Sequence, residues 1–479
     1  EISSPLLINI LGTDYIDVTK SIKSFIPAEI SETITKKIED KAYSNLSQNP
    51  SLHDKLEFDV IPTCIDLNWE KWENYFRETL SNDEIKKYKE TLIKNTKNIM
   101  KLTVKTQAQK SIKELTNLNT NDPIKKLLKA IEYLNKVNEK LAIEFARSAR
   151  RAFIVTSWLR SGLQKGIISK SAEQGFYKSL NTISSEFLRD ISVEQINQDK
   201  LYFKYGHLRP SSYDIQSNCY LYRRINKNNL SNQNETVISN SDLNSWKNEK
   251  GNLFLAIKNL LNFESTEVVE KMMKDNVILR EKNKFEFTKL LSSSLELIAE
   301  SCKSFNISRY QASHISLQTF KNIAYSKNGF SLIKDLINEE YLRNEKRKKL
   351  FEFIYKPDIF INGNELLIDK SLNCRPTYIG ESITEGNVIK LTDLKNEDQI
   401  VLDNNIVLIE NADPGYDFIF GYKIKGLITM YGGSNSHMTI RCSELNVTAV
   451  IGIGHKVFNE IKLNSNLQIN PILKTIRNI

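Results

Sequence analysis

The sequence predicts a multidomain α+β protein in which a large, mostly helical part precedes a small α/β unit. Three observations carry that prediction. Gly and Pro are scarce, 17 and 10 in 479 residues, which disfavours an all-β chain with its many tight turns. From Asn68 to about Tyr355 apolar residues recur three and four apart between Lys and Glu, the stripe that a helix buries against its neighbours. After Lys356 short β-branched runs punctuated by Gly, Asn, Asp and Pro take over.

Taken in chain order, residues 1–65 mix strand-like runs (Leu6–Leu11, Phe58–Ile61) with an amphipathic stretch near Ser31–Leu46. Helical stripes follow, as in Ile124–Phe145 and Phe287–Ile298, with polar breaks at Asn117–Asp122 and Asn228–Asn240. These segments together make residues 1–356 the helical part with a short α/β start. Residues 357–374, with an Asn362-Gly363 turn, read as a linker. Residues 375–479 read as the α/β unit, its strands expected at Val388–Leu391, Gln399–Leu402, Ile406–Ile409, Gly426–Met430, Val447–Ile453 and Leu467–Ile469.

Composition excludes several function classes. Lys+Arg 67 against Asp+Glu 58 gives +9, too mild and diffuse for a nucleic-acid binder. No apolar run approaches a membrane span, and the start has no basic-then-apolar signal pattern. Cys64, Cys219, Cys302, Cys374 and Cys442 are scattered, with no metal-ligand spacing, and read as reduced thiols of a cytoplasmic protein.

One segment carries chemistry: GLITMYGGSNSHMTIRCSELNVTAVIGIG, Gly426–Gly454. It reads as a strand, a Gly432-Gly433 turn, then Ser436-His437 opening a short helix. Paired glycines let backbone N–H groups approach an anion closely, and the helix start adds free donors and a positive dipole end. Arg441 lies one turn beyond His437 on the same face, and Thr429, Ser436 and Thr439 offer hydroxyls nearby. The assembly suits an imidazole that carries a phosphoryl group. Upstream, KYGHLRPSSYDI (Lys204–Ile215) collects His207, Arg209, Tyr213 and Asp214: a titratable base, a fixed cation and a carboxylate beside a helix-breaking Pro. That set suits either an acceptor with a carboxylate, gripped by Arg209, or a structural salt bridge with a buried His. Asp413-Pro414-Gly415 reads as a tight turn starting a helix, with Asp413 or Asp417 as its cap.

In register, Gly426, Thr429, Gly432, Gly433, Ser436, His437 and Arg441 resemble the phosphohistidine segment of the swivelling domain in the phosphoenolpyruvate synthase and rifampin phosphotransferase family. One departure is Thr448, where that family usually has Pro. The Gly-His-x-x-Pro stretch at Gly206–Pro210 resembles the acceptor-binding domain of a subgroup, and Tyr15–Pro27 and Leu52–Val60 resemble segments that follow its ATP-binding domain. The resemblance implies an ATP-dependent dikinase-type phosphotransferase with His437, Arg441, Thr429 and Ser436 in catalysis. Gly432, Gly433 and Thr439 would hold phosphate, and His207, Arg209, Tyr213 and Asp214 would hold the acceptor.

It further implies ATP and Mg²⁺ bound by an upstream ATP-grasp domain of the same protein. The sequence opens without Met and shows no phosphate loop, so this chain reads as a fragment inactive with ATP on its own. ATP, acceptor and water would give AMP, phosphate and phosphorylated acceptor. The branch it most resembles, the L-glutamine kinases of capsular phosphoramidate synthesis, makes the amide nitrogen of L-glutamine the expected acceptor. The alternatives are a phosphoenolpyruvate synthase-like or antibiotic-inactivating dikinase and, in another class, a non-catalytic phosphocarrier module.

Overall fold

The computed structural model describes residues 6–53, 55–101, 121–192, 198–219, 240–326, 330–352, 360, 376–380, 382–391, 402–434 and 436–479. Strands β1 (Leu7–Ile10) and β2 (Thr13–Ile16) pair antiparallel around Leu11 and Gly12, both at positive φ. Asp17 then caps α1 (Val18–Phe25) by accepting from the Thr19 and Lys20 amides. Helices α2 (Glu32–Gln48), α3 (Trp69–Phe76) and α4 (Asn82–Lys101) bury Ile38, Trp72, Phe76 and Tyr88 in one core. Between α2 and α3, the expected strand at Phe58–Ile61 is instead a π-helical turn, Leu56–Val60. Leu56, Phe58 and Val60 are buried at alternate positions, which mimics a strand's pattern without a partner strand.

Asp122 caps α5 (Pro123–Lys136), which continues through a π turn (Val137–Leu141) into α6 (Ala142–Gln164). Short helices follow: α7 (Lys170–Lys178), α8 (Ile183–Ser192) and α9 (Gln198–Tyr205). After α10 (Asn240–Leu261) comes the 39-residue α11 (Thr266–Ser304). At 1.5 Å per residue α11 is about 58 Å long, which lets one helix thread three apolar clusters through Met273, Leu290 and Ile298. Helices α12 (Arg309–Ala312), α13 (Leu317–Tyr325) and α14 (Phe330–Glu352) complete this part.

The C-terminal part is a seven-stranded mixed sheet of order β3-β7-β6-β5-β4-β8-β9. Its strands are β3 (Thr377–Ile379), β4 (Thr384–Lys390), β5 (Asn405–Asn411), β6 (Gly426–Tyr431), β7 (Thr448–Ile451), β8 (Asn466–Asn470) and β9 (Thr475–Asn478). Strands β4, β5, β6 and β7 are parallel neighbours, and β3 and β8 flank them antiparallel. Both faces are covered, as a parallel sheet requires. Val407, Ile409 and Leu427 face α15 (His437–Glu444), and Ile406, Leu408 and Ile428 face α16 (His455–Glu460). The linker expected over 357–374, apart from Phe360, and residues 399–401 of an expected strand lie outside the described residues. Cys64, Cys219, Cys302 and Cys442 are buried and form no disulfide. Among the described residues no helix is long and apolar enough to cross a membrane.

Candidate functional site

The Gly-Gly turn leaves β6 where the next strand crowds it. Gly432 sits at φ +139°, and a Cβ there would lie 2.6 Å from the Ala412 Cβ and 2.9 Å from Ile451 Cγ2, so only glycine fits. Ser436 caps α15 by accepting from the Thr439 amide, and its hydroxyl also meets Thr439 Oγ1 at 2.9 Å. Thr439 Oγ1 in turn donates to the Gly433 carbonyl at 2.8 Å. Both hydroxyls therefore brace the loop that presents His437. Thr429, fully buried, donates to the Tyr431 carbonyl and accepts from the Gly452 amide, pinning β6 to the loop after β7. Its hydroxyl is structural in this arrangement, which corrects the expectation that it acts in catalysis.

His437 Nε2 lies 2.6 Å from Asp417 Oδ1, and both side chains are nearly buried. Asp417 belongs to a 3₁₀ segment, Pro414–Gly421, that leaves the end of β5. Strands β5 and β6 are parallel with Asn411 opposite Tyr431, so the segments after them emerge at the same sheet edge. That edge is where ligand sites form in open α/β sheets. Asp413 is the cap, accepting from the Gly415 amide and from the Ser212 hydroxyl of the helical part. Of the two caps the sequence offered, Asp413 is therefore the one used, and Asp417 instead orients the imidazole.

Burial disfavours charge on both members of this pair, yet each charge and their shared hydrogen bond outweigh it. The Asp417 carboxyl is held below its ordinary range, with Arg441 and a Ser184 hydrogen bond adding to the effect. The His437 imidazole is raised above its ordinary range despite burial, by the Asp417 charge and hydrogen bond and by the nearby Glu281 charge. Arg441, 3% exposed, pairs with Glu444 and places Nε 4.0 Å from Asp417 Oδ1. Its Nε and Nη2 are buried without hydrogen-bond partners. Arg441 thus stands behind the His437–Asp417 pair with two donors unspent.

His437 opens on a cavity of about 450 Å³ between the sheet edge and the helical part. The helical part contributes Ser184, Tyr213 and, on one stripe of α11, Arg280, Glu281, Lys284 and Phe285. Lys284 donates to the Tyr213 hydroxyl at 3.1 Å and lies 5.1 Å from that ring. Of the four expected acceptor residues, only Tyr213 lines this cavity.

Arg209 is 2% exposed and saturated by Ser292, Glu296 at 2.8 Å, and the Asp214 and Ser217 carbonyls. It is a structural cation, not the expected grip on an acceptor carboxylate. His207 packs edge-on against Phe285 at 4.5 Å. Burial, then the Lys289 charge, pushes its pKa down to about 3, so the ring is a neutral packing residue behind Phe285 rather than a base for the acceptor. The Asp214 carboxylate accepts from the Gln216 amide and closes a turn instead of facing the cavity. Sequence proximity grouped these residues, but the directions of their side chains scatter them. Glu281 and Lys284 were missed, and Asp417 was singled out only as a cap, because no motif marks their place at the site; only the parallel β5–β6 pairing and the packing of α11 bring them to His437.

Among the described residues no three His, Cys, Asp or Glu side chains cluster to hold a metal ion. Residues 401–469 match the family described as the mobile domain of PEP-utilising enzymes. A search of curated proteins finds none that matches the chain.

Proposed function

We propose that this chain is the acceptor-side machinery of a phosphotransferase in which His437 carries the phosphoryl group and passes it to the side-chain amide nitrogen of L-glutamine. The donor in this reading is ATP with Mg²⁺, held by an ATP-grasp domain of the same cytoplasmic enzyme. The observation that carries the reading is the position of His437, hydrogen-bonded to a buried carboxylate and opening on a cavity walled by the helical part. The mobile-domain match over the same segment supports a phosphohistidine-type transfer.

A relay through a histidine splits one difficult transfer into two in-line steps at separate sites. Asp417 fixes the ring and sets its proton affinity. Loading requires the neutral imidazole, so it accelerates as pH rises through the elevated His437 pKa. The amides of Gly432 and Gly433 and the unspent donors of Arg441 stabilise charge on the phosphoryl oxygens. On the other wall Lys284 takes the role that Arg209 was expected to fill, pairing with the acceptor's carboxylate.

The test is ³¹P NMR on the enzyme with ATP, Mg²⁺ and L-glutamine beside a His437→Asn control. AMP, phosphate and a phosphoramidate resonance, all lost in the control, are expected. AMP and phosphate without that resonance would reject glutamine and leave the relay standing.

A further inference from the structure

Three carboxylates line the His437 cavity: Asp413, Asp417 and Glu281. Asp413 is engaged by the Ser212 hydroxyl and the Gly415 amide. Asp417 is engaged by His437 and Ser184. Glu281 differs. Its Oε2 is shielded from solvent and has no hydrogen-bond partner. A buried acceptor atom without a donor calls for an explanation, and a bound ligand is one. Glu281 is also close enough for its charge to be felt by both His437 and Arg441.

We infer that Glu281 is the general base of the acceptor half-reaction; the inference rests on the reading of His437 as the phosphoryl carrier. An amide nitrogen is a poor nucleophile, and its attack needs somewhere for its proton to go. His207 and Asp214, the titratable residues expected to hold the acceptor, do not line the cavity. In the transfer the P–N bond to His437 breaks and its electron pair returns to the imidazole nitrogen. A new P–N bond forms to the acceptor nitrogen, whose proton passes to Glu281 Oε2. Arg280 and Lys284 lie one turn apart on α11 and bracket Glu281 along the cavity wall. That spacing places a carboxylate that accepts a proton between two cations suited to the anionic groups of phosphoryl donor and amino-acid acceptor.

The two half-reactions can be read apart in the full chain. Potassium phosphoramidate, a small phosphoryl donor, loads His437 without ATP, and ³¹P NMR then follows discharge of phosphohistidine on adding L-glutamine. In Glu281→Gln the loading step proceeds while glutamine-dependent discharge slows about 100-fold or more, the scale of general-base catalysis. Glu281→Asp, which sets the carboxylate one methylene back, retains more of the rate than Gln. Discharge at the wild-type rate in the Gln variant, or equal losses in Gln and Asp, would overturn the assignment. So would loss of loading in the Gln variant, since Glu281 would then act on His437 itself. Wild-type phosphohistidine that glutamine discharges no faster than water does would instead reject the acceptor reading, and the assignment with it.

Discussion

Replacing Gly415 by Ala tests whether phosphoryl transfer occurs in the cavity between the sheet edge and the helical part. Gly415 is not at positive φ, so Ala strains no backbone there; its effect is entirely across the joint. An added Cβ would lie 1.5 Å from the Arg209 carbonyl oxygen, 2.5 Å from its carbon and 2.9 Å from Pro210 Cα. Ordinary contact begins near 3.4 Å, so the two backbones must part by about 2 Å. That separation breaks the 2.7 Å bond between Ser212 and Asp413 and moves His437 away from the α11 wall. His437 and Asp417 both belong to the sheet part, and their 2.6 Å contact survives. Phosphoramidate loading of His437 should therefore hold its wild-type rate. Discharge to L-glutamine should fall about 100-fold, the penalty typical of a misplacement of an ångström or more. The assay is the same two-step ³¹P measurement. Wild-type discharge in Gly415→Ala would refute the argument that this joint forms the transfer site.

Other perturbations separate the roles further. In Asp417→Asn the carboxylate that chiefly raises His437 is gone, leaving burial opposed only by the weaker Glu281 charge, so the acid limb of phosphoramidate loading should move to lower pH; an unmoved limb would mean Asp417 does not control the imidazole. The same pair contributes to stability with a defined sign. The His437 contribution is full below the ordinary imidazole pKa and is lost as pH rises through its elevated value. The Asp417 contribution is present above the ordinary carboxylate pKa and is lost as pH falls through its depressed value. Melting temperatures of wild type and Asp417→Asn across pH should diverge most between those limits. Arg209→Met removes one partner of a buried network, should cost about 3 to 5 kcal/mol in denaturant unfolding, and should leave the KM for the acceptor unchanged once folded. Lys284→Met should raise that KM with little change in the loading rate, because Lys284 lines the acceptor side of the cavity.

The comparison between sequence and structure turns on what each residue's signal depends on. The strand, Gly-Gly turn and capped helix around His437 were legible because each is local: positive φ at Gly432 demands glycine, and Ser436 caps its own helix. Strands β4 to β8 showed as β-branched runs for the same reason, whereas the three-residue β3 and the exposed β9 were too short or too polar to register. The turn at Leu56–Val60 shows the limit of periodicity, since alternate burial arose there without a strand. The roles of Asp417 and Glu281 at His437 were invisible because they lie in tertiary neighbours, 20 residues from His437 in one case and on the far helix α11 in the other. The sequence left Arg209 open between an acceptor grip and a structural ion pair, because a cation near a carboxylate in sequence carries no record of which way it points; here its charge is spent on Glu296 inside the helical part.

The most direct test of the central claim is to treat the full chain with phosphoramidate and map the acid-labile phosphoryl group by peptide mass spectrometry, beside His437→Asn. The account predicts a single alkali-stable, acid-labile phosphoryl on the peptide containing His437, absent from the Asn variant. Labelling that persists in His437→Asn, or a wild-type chain that takes up none at His437, would contradict it.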